Sequence, residues 1–270
     1  MLPLYHQKRR CPLLSYHNIF DSHAHYNDER FRSIQEETIR HIRENGVAAV
    51  LNAGCDMPSS YSGLELTRSY PFFYCSVGIH PHDAVNWSES NLEELAALAG
   101  EEKVVAIGEI GLDYHYDFSP RGRQKEVFEK QLMLAQELSL PVIIHSREAT
   151  ADTLELLRRY RPKGVVHCFS GSAQTASEIL SLGMYLGYTG VVTFNNAKKV
   201  LEAVKVTPLD RLLLETDCPY MAPVPYRGKI CTSDMIALTA EKIAQIKETD
   251  VQDLIDIANR NTHICFGIPE

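Results

Sequence analysis

The stretch VVAIGEIGL, residues 104–112, predicts a buried parallel strand with a functional side chain at its end. Its β-branched and aliphatic residues are typical of a strand that is covered on both faces. The apolar part of the run ends at the carboxylate of Glu109. The stretch therefore indicates a parallel α/β sheet with chemistry at its strand ends.

Seven further strand-like runs alternate with helix-like segments along the chain, giving eight strands. They are NIF before Asp21, VAAVLNAG at 47–54, FFYCSVGIH at 72–80, VIIHS at 142–146, VVHCF at 165–169, YLGYTG at 185–190 and LLLETD at 212–217. Helix patterns include residues 33–45, 120–138, 233–247 and 250–261. This alternation predicts a (β/α)8 TIM barrel of the metal-dependent hydrolase type. A doubly wound open sheet is the alternative, but it would gather ligands at one crevice instead of from strand after strand.

Six side chains of metal-binding type stand at the ends of these runs: His23, His25, Glu109, His145, His167 and Asp217. The carboxyl ends of all strands open on one face of a closed parallel barrel, so residues far apart in sequence meet there. A single histidine at a strand end is usually a hydrogen-bonded packing residue, but four histidines with two carboxylates are hard to assign to packing. The set predicts a centre for divalent metal ions, namely Mg, Mn or Zn.

Two divalent ions about 3.5–4 Å apart can clamp the attacking and leaving oxygens of an in-line displacement. Glu109, on a central strand, is the predicted bridge between them. We expect the other ligands to divide into two sites, one with His23, His25 and Asp217 and one with His145 and His167. Asp217 is also the predicted general base, because a carboxylate beside an attacking water can take its proton.

Six residues in the loops beside the strand ends are candidates for substrate contacts: His80, His82, Tyr114, Arg147, Arg227 and Lys229. Arg147 follows His145 by two positions and can offer a fork of donors to phosphate oxygens, although it could instead pair with Glu148 at the surface. The two histidines could donate to a leaving oxygen or orient a metal ligand. Tyr114 offers a ring to a nucleobase. The three cations favour a phosphate substrate.

With 270 residues and 44% hydrophobic composition, the chain can bury a large core, and its length fits one α/β barrel. We therefore expect a single hydrolase domain over residues 1–270, of which residues 1–17 are an N-terminal extension. The net charge of −8 argues against a generally basic surface for nucleic acid. It permits a phosphate substrate that is held by bound cations and a few local arginines.

Seven cysteines without a CxxC pair favour a reducing cytoplasm over a disulfide framework. Cys168 and Cys218 adjoin predicted ligands, but successive strand residues face opposite ways, so both are expected to pack between barrel and helices. No run approaches the roughly eighteen apolar residues of a membrane helix. The N-terminal segment 1–16, which contains the basic cluster Lys8-Arg9-Arg10, lacks the apolar segment of a signal peptide. We expect a cytoplasmic protein that has no membrane partner.

Taken together, seven segments resemble the TatD family of metal-dependent deoxyribonucleases. They are DSHAH, GIHPHD, IGEIGLDY, PVIIHSR, VVHCFSG, ETDCPYMAPVPYRGK and ANRNTHICFG, which span residues 21–267 in the order of the family. The resemblance implies the same six ligands, Arg147 and the Arg227 loop near phosphate, and His80 or His82 near the scissile group. It also implies 3′ to 5′ exonuclease activity on DNA. One departure is the segment 230–233, where many members have Arg-Asn-Glu-Pro.

The function we predict is a two-metal phosphodiesterase, a 3′-5′ exodeoxyribonuclease that uses metal-activated water on short or terminal single strands of DNA. An alternative is a hydrolase of amides, lactones or aminoacyl esters, such as a D-aminoacyl-tRNA deacylase, because the same centre polarises a carbonyl oxygen. A more remote alternative is a metal-containing barrel that only binds a partner. The presence of Asp217 beside the predicted metals argues against that third possibility.

Overall fold

The computed structural model describes residues 16–269, in which eight strands alternate with helices. The strands are β1 (Ile19–Ala24), β2 (Val47–Asn52), β3 (Phe73–Val77), β4 (Val104–Asp113), β5 (Val142–Arg147), β6 (Gly164–Val166), β7 (Tyr185–Tyr188) and β8 (Leu212–Leu214). The α-helices are α1 (Gln35–Glu44), α2 (Met57–Ser69), α3 (Glu89–Ala99), α4 (Arg121–Leu138), α5 (Thr150–Tyr160), α6 (Ala173–Ser181), α7 (Lys198–Val206), α8 (Ile236–Lys247) and α9 (Val251–Phe266). The predicted extension, residues 1–17, lies outside the described residues except for its last two positions.

The strands are parallel and pair in sequence order from β1 to β8. This order confirms the predicted TIM barrel and excludes the doubly wound sheet, in which the strand order reverses. The seam between β8 and β1 is closed just beyond the strands, where Asp217 N–H donates to the His23 carbonyl at 2.9 Å and His25 N–H donates to the Cys218 carbonyl at 2.8 Å. The nearly closed barrel is thus completed by the segments that carry predicted ligands.

The interior of the barrel divides into an apolar end and a polar end. An inner cluster contains residues near the starts of the strands, such as Phe20, Ile143 and Leu213, together with Phe266 and Ile268 from the end of the chain. Burial of these side chains stabilises the barrel by roughly 1.5–3 kcal/mol for each large apolar group. Because this apolar cluster fills the barrel near the starts of the strands, polar side chains can lie at their carboxyl ends, at the opposite opening of the barrel.

The last two helices differ from the prediction at one end each. Helix α8 begins at Ile236 instead of residue 233, because 233–235 form a 3-10 turn from which the Ser233 hydroxyl donates to Asp21 at 2.6 Å. Helix α9 continues five residues beyond the predicted end at Asn261. The buried Asn261 side chain donates to the carbonyls of Leu209 and Leu212, and the helix ends only at Gly267, whose φ is 64°.

Within residues 16–269, no helix combines the length and the apolar character that a membrane crossing requires. The cysteines of these residues are free thiols, and Cys218 is buried as expected. The expectation for Cys168 was wrong, since this residue is only partly buried and is among the residues that line the cleft at the mouth of the barrel. Strand β6 ends at Val166 and Cys168 has a φ of 43°, so strand alternation no longer sets its direction.

Candidate metal centre

A cleft of about 700 Å³ opens at the carboxyl ends of the strands. Five of the six predicted ligands contribute to its lining, and the sixth, His23, is completely buried beneath it. β1 carries His23 and leads into His25, β4 carries Glu109, and β5 carries His145. His167 directly follows β6, and Asp217 lies three residues after β8.

The first donor group consists of His23, His25 and Asp217. The Nε2 atoms of His23 and His25 lie 3.1 Å apart, and the latter is 3.3 Å from Oδ1 of Asp217. Asp217 has a φ of 60°, a left-handed conformation that is uncommon for a non-glycine residue and that clusters at functional sites. Its backbone is held there because its N–H donates to His23 and its carbonyl accepts from Tyr220.

The second donor group consists of His145 and His167, whose ring nitrogens Nδ1 and Nε2 lie 3.3 Å apart. Both nitrogens face Oε1 of Glu109, at 2.8 Å from His145 and 2.7 Å from His167. The other oxygen of Glu109, Oε2, lies 3.4 Å from Nε2 of His23. Each oxygen of this single carboxylate therefore faces a different donor group.

His80 approaches the second group, with its Nε2 at 3.5 Å from Oε1 of Glu109. The donor atoms form three overlapping triads in which all atoms lie within 4.8 Å of one another. The triads are His23, His167 and Asp217; His23, His25 and Glu109; and His80, Glu109 and His145. The first of them crosses between the two donor groups, which shows how closely the groups are packed.

The side chains present fit a divalent metal ion. Nδ1 of His25 lies 3.2 Å from the Ala53 carbonyl, to which it can donate, and Nε2 faces His23 and Asp217. The buried residues of the described chain include the carboxylates of Glu109, Asp113 and Glu215 but no lysine or arginine. A bound cation would supply the missing positive charge, and nitrogen and oxygen donors of this kind suit Zn or Mn.

Two buried carboxylates stand behind the second donor group, and the sequence analysis did not single them out. Oδ2 of Asp113 lies 3.2 Å from Nε2 of His145 and 2.9 Å from Nε2 of His82. Glu215 lies 3.8 Å from Nδ1 of His167 and accepts the backbone N–H of Cys168. A carboxylate in the position of Asp113 fixes the tautomer and the orientation of a histidine ligand. The distance from Glu215 is too long for a hydrogen bond, and Nδ1 of His167 has no hydrogen-bond partner within residues 16–269.

The charges of these groups follow from their neighbours. Burial alone would raise the pKa of Asp217, but the hydrogen bond from His25 and the nearby imidazoles keep that pKa below its ordinary value. The pKa of Glu109 is likewise held low against burial, by His167, His80 and His145. Burial raises the pKa of Glu215 to about 8, because only His167 and the Cys168 N–H oppose it strongly. Glu109 and Asp217, the two carboxylates among the predicted ligands, are thus ionised.

The predicted substrate residues are divided between the cleft and the surrounding surface. His80, His82 and Arg147 line the cleft, whereas Tyr114, Arg227 and Lys229 are not among its lining residues. The Tyr114 hydroxyl donates to Asp152 at 2.6 Å, and the exposed Arg227 stacks on Phe194 at 3.6 Å from the ring centroid. The aromatic side chain that enters the cleft from this loop is Tyr116.

The segment 230–233, where the sequence departs from the family pattern, turns inward. Cys231 and Ser233 are buried, and Cys231 N–H donates to the Pro219 carbonyl at 3.0 Å. The Ser233 hydroxyl contacts Asp21 and Tyr26 beneath the barrel seam. These residues support the loop after Asp217 instead of lining the cleft.

A parallel barrel with histidines and carboxylates gathered at its carboxyl-terminal mouth is the architecture of metal-dependent hydrolases. The chain belongs to the TatD family: the family model described as TatD related DNase matches residues 20–267. It is therefore an enzyme, a metal-dependent hydrolase of a family whose name denotes cleavage of ester bonds in DNA. The predicted membership, fold and enzyme class are confirmed, and the prediction of a partner-binding barrel without activity is set aside.

Individual relatives agree with this assignment. YabD of Bacillus subtilis, named an uncharacterized metal-dependent hydrolase, is 43% identical over 253 residues, which cover 93% of this chain and 99% of the relative. The 3′-5′ ssDNA/RNA exonuclease TatD of Cronobacter sakazakii is 41% identical over 209 residues, or 76% of this chain and 80% of the relative. The crystal structure of YJJV, a TatD homologue from Escherichia coli, superposes with a TM-score of 0.88 at 30% identity and covers 93% of this chain and 99% of that chain.

Proposed function

We propose that this hydrolase is a two-metal phosphodiesterase that removes nucleotides from the 3′ end of single-stranded DNA. The observation that carries the proposal is the position of Glu109 between the two donor groups. Its Oε1 lies 2.7 Å from His167, and its Oε2 lies 3.4 Å from His23. A carboxylate with one oxygen toward each group is the arrangement that a pair of ions shares.

In this proposal one ion is held by His23, His25 and Asp217, the other by His145 and His167, and both by Glu109. Divalent ions bound there would polarise a phosphoryl oxygen and lower the pKa of water. The imidazole-rich set favours Zn or Mn over Mg, which prefers oxygen donors and keeps several waters. His80, close to Glu109 and His145, would supply a further nitrogen to the second site.

Asp217 is the proposed general base. Its carboxylate is ionised, lines the cleft and lies beside the first donor group, so it can accept the proton of an attacking water. The water oxygen joins phosphorus, the bond from phosphorus to the 3′ oxygen of the preceding nucleotide breaks, and that oxygen takes up a proton. The products are a 5′-mononucleotide and a strand shortened by one residue with a free 3′ hydroxyl.

Three observations support DNA ends as the substrate. The cleft is wide enough for a nucleotide, and Arg147 at its wall offers a planar fork of donors to a phosphate. The TatD exonuclease from Cronobacter, which is named for action on ssDNA and RNA, is 41% identical to this chain. The net charge of −8 fits a short, locally held strand better than a long duplex.

We further propose that residues 1–270 act as a single cytoplasmic barrel unit.

The test compares the wild-type protein with Asp217→Asn and with Asp210→Asn, a control at a carboxylate that is 74% exposed in the ion pair with Arg211. Each protein is loaded with Mn or Zn, assayed for bound metal, and incubated with 3′-labelled and 5′-labelled single-stranded DNA. We expect wild type and control to release 5′-mononucleotides from the 3′ end, and Asp217→Asn to lower kcat at least about a hundredfold.

Three results would contradict parts of the proposal. Equal nucleotide release by wild type and Asp217→Asn would remove this carboxylate from the chemistry. Fewer than two ions per chain at saturation would overturn the two-metal scheme. Hydrolysis of aminoacyl esters or lactones by a preparation that leaves DNA intact would replace the phosphodiesterase with the carbonyl alternative, which the same donor groups could serve.

A further inference from the structure

Two exposed aromatic rings stack on each other at the rim of the cleft. The rings of Tyr116 and Phe118 have centroids 5.2 Å apart and an interplanar angle of 14°, so they are stacked. Tyr116 is 47% exposed and Phe118 is 64% exposed, and Tyr116 lines the cleft. Large apolar side chains that are held together in water at the edge of a site are typical of a binding surface.

The pair is connected to the metal centre through one imidazole ring. His82 meets both aromatic rings edge to face, at 5.4 Å from Tyr116 and 4.8 Å from Phe118. The same ring lies 6.3 Å from the ring of His145 and shares the carboxylate of Asp113 with it. The aromatic pair is therefore separated from the second donor group by a single side chain.

The loop that carries the pair is held in place from both sides. Oδ1 of Asp113 accepts the backbone N–H groups of His115 at 2.9 Å and Tyr116 at 3.0 Å. The Ser119 hydroxyl donates to the His82 carbonyl at 2.8 Å. Because these contacts fix the loop without a ligand, the rings are presented in advance and lose little conformational entropy on binding.

A cation accompanies the rings. The guanidinium carbon of Arg147 lies 4.7 Å from the centroid of Tyr116, and its side chain is exposed at the cleft wall. An aromatic face next to an arginine is the combination that single-stranded nucleic acids use, because the base stacks while the adjacent phosphate pairs with the cation. The rim therefore offers a partner to both parts of an unpaired nucleotide: aromatic rings for the base and Arg147 for the phosphate.

We infer that Tyr116 and Phe118 form a stacking platform for an unpaired base of the single-stranded DNA substrate, close to the bond that is cut. The inference rests on the proposed phosphodiesterase function and adds a substrate requirement to it. A base that remains paired in a duplex has no free face for the platform. The enzyme should therefore act on frayed or single-stranded 3′ ends, with little preference for base identity, since every base has a π-face.

The experiment uses the metal-loaded full chain and the variants Tyr116→Leu and Phe118→Leu, which keep apolar bulk but remove the ring. Tyr61→Leu is the matched control, because Tyr61 is 48% exposed on α2 and does not line the cleft. KM and kcat are measured on a 3′ single-stranded oligonucleotide and on an analogue without bases at its last three positions. Fluorescence of a 2-aminopurine at those positions reports stacking directly.

We expect each platform variant to raise KM on the normal strand by roughly five- to a hundredfold, the range for loss of one stacked base. Tyr61→Leu should match wild type. The difference between wild type and the platform variants should shrink on the abasic strand, and quenching of 2-aminopurine should be lost with the ring. Circular dichroism checks that the variants are folded.

Three outcomes are distinguishable. If wild type cleaves the normal strand and both platform variants do so with unchanged KM and unchanged 2-aminopurine quenching, the platform is disproved while the phosphodiesterase stands. If wild type cleaves neither strand yet quenches 2-aminopurine and the variants do not, the phosphodiesterase fails while base stacking at this rim is upheld. Absence of both cleavage and quenching by wild type overturns both proposals.

Discussion

Asp113 lies directly behind His145, with its Oδ2 atom 3.2 Å from Nε2 of that imidazole. The contact lets Nε2 of His145 donate to Asp113 and holds Nδ1 toward Oε1 of Glu109, 2.8 Å away. The hydrogen bonds from His145 and His82 keep the pKa of Asp113 below its ordinary value although burial opposes this. A predicted metal ligand is thus oriented by a carboxylate that is not itself a member of either donor group.

The first prediction concerns this pair. Asp113→Asn should weaken metal binding by about 10- to 100-fold, the usual cost of losing a carboxylate behind a histidine ligand. The measurement is calorimetric titration of Mn or Zn into the metal-free protein. The control is Asp117→Asn, because Asp117 is in the same loop but is exposed and paired with Arg121. Equal affinities for Asp113→Asn and wild type would mean that His145 is oriented without it.

The second prediction concerns removal of metal. With the ions absent, the carboxylates of the centre are offset only by histidines, so we expect chelated protein to melt at a lower temperature than loaded protein. Binding at a hundredfold excess over Kd contributes about 2.7 kcal/mol per site. Differential scanning calorimetry with increasing Mn or Zn should show Tm rising with the logarithm of metal concentration. A Tm that does not respond to metal would contradict the assignment of this cleft as the metal centre.

The third prediction concerns the space beneath the centre. A Cβ atom added at Gly187 would lie 2.1 Å from Oε2 of Glu215, which is completely buried. Gly187→Ala should therefore destabilise the protein by roughly 1–3 kcal/mol, as overpacking of a core does. Gly122→Ala in α4 is the matched control, since its Cβ would meet no atom within 4 Å. That change should stabilise the helix by about 0.5–1 kcal/mol. Urea unfolding of both variants measures the two effects.

The fourth prediction is a pH dependence far from the metal centre. Nε2 of His41 lies 3.4 Å from Oδ2 of the buried Asp234, which raises the pKa of His41 above 6.5. A raised pKa in the folded state means that the ion pair contributes stability below pH 6.5 and loses it as the pH rises through the folded pKa. Because His41 is more than half exposed, the contribution is only about 0.2–1 kcal/mol.

His41→Gln and Asp234→Asn should each flatten the slope of unfolding free energy against pH just above 6.5. The double variant should flatten it no further, since both changes remove the same interaction. Urea titrations at pH 6 and pH 8 provide the comparison. A slope that survives in His41→Gln would assign this pH dependence to another group.

The barrel was predictable because its strands are continuous apolar runs and its ligands stand at their ends. Eight such runs in alternation with helices predict a closed parallel barrel, and the observed strand order agrees with this prediction. The convergence of the six ligands followed from the same reasoning, because parallel strands share one carboxyl end. The role of each ligand remains a prediction that the experiments above address.

The supporting residues were harder to find in the sequence, although strand alternation contained a signal. Asp113 follows Glu109 by four positions and Glu215 precedes Asp217 by two, so each pair shares a face in an extended strand. Tyr114 was the predicted aromatic candidate, and no such pattern in the sequence pointed to Tyr116. The loop after β4 turns Tyr114 toward Asp152 and Tyr116 into the cleft, and only the three-dimensional structure shows that turn.

The seam between β8 and β1 determines when, during synthesis, the first donor group can form. His23 and Asp217 are far apart in the sequence, yet the backbone N–H of Asp217 donates to the His23 carbonyl. A nascent chain on the ribosome contains His23 and His25 long before Asp217 has been synthesised. The first donor group therefore cannot form until Asp217 has been synthesised. Synthesis itself therefore delays the appearance of hydrolase activity until the segment after β8 has left the ribosome.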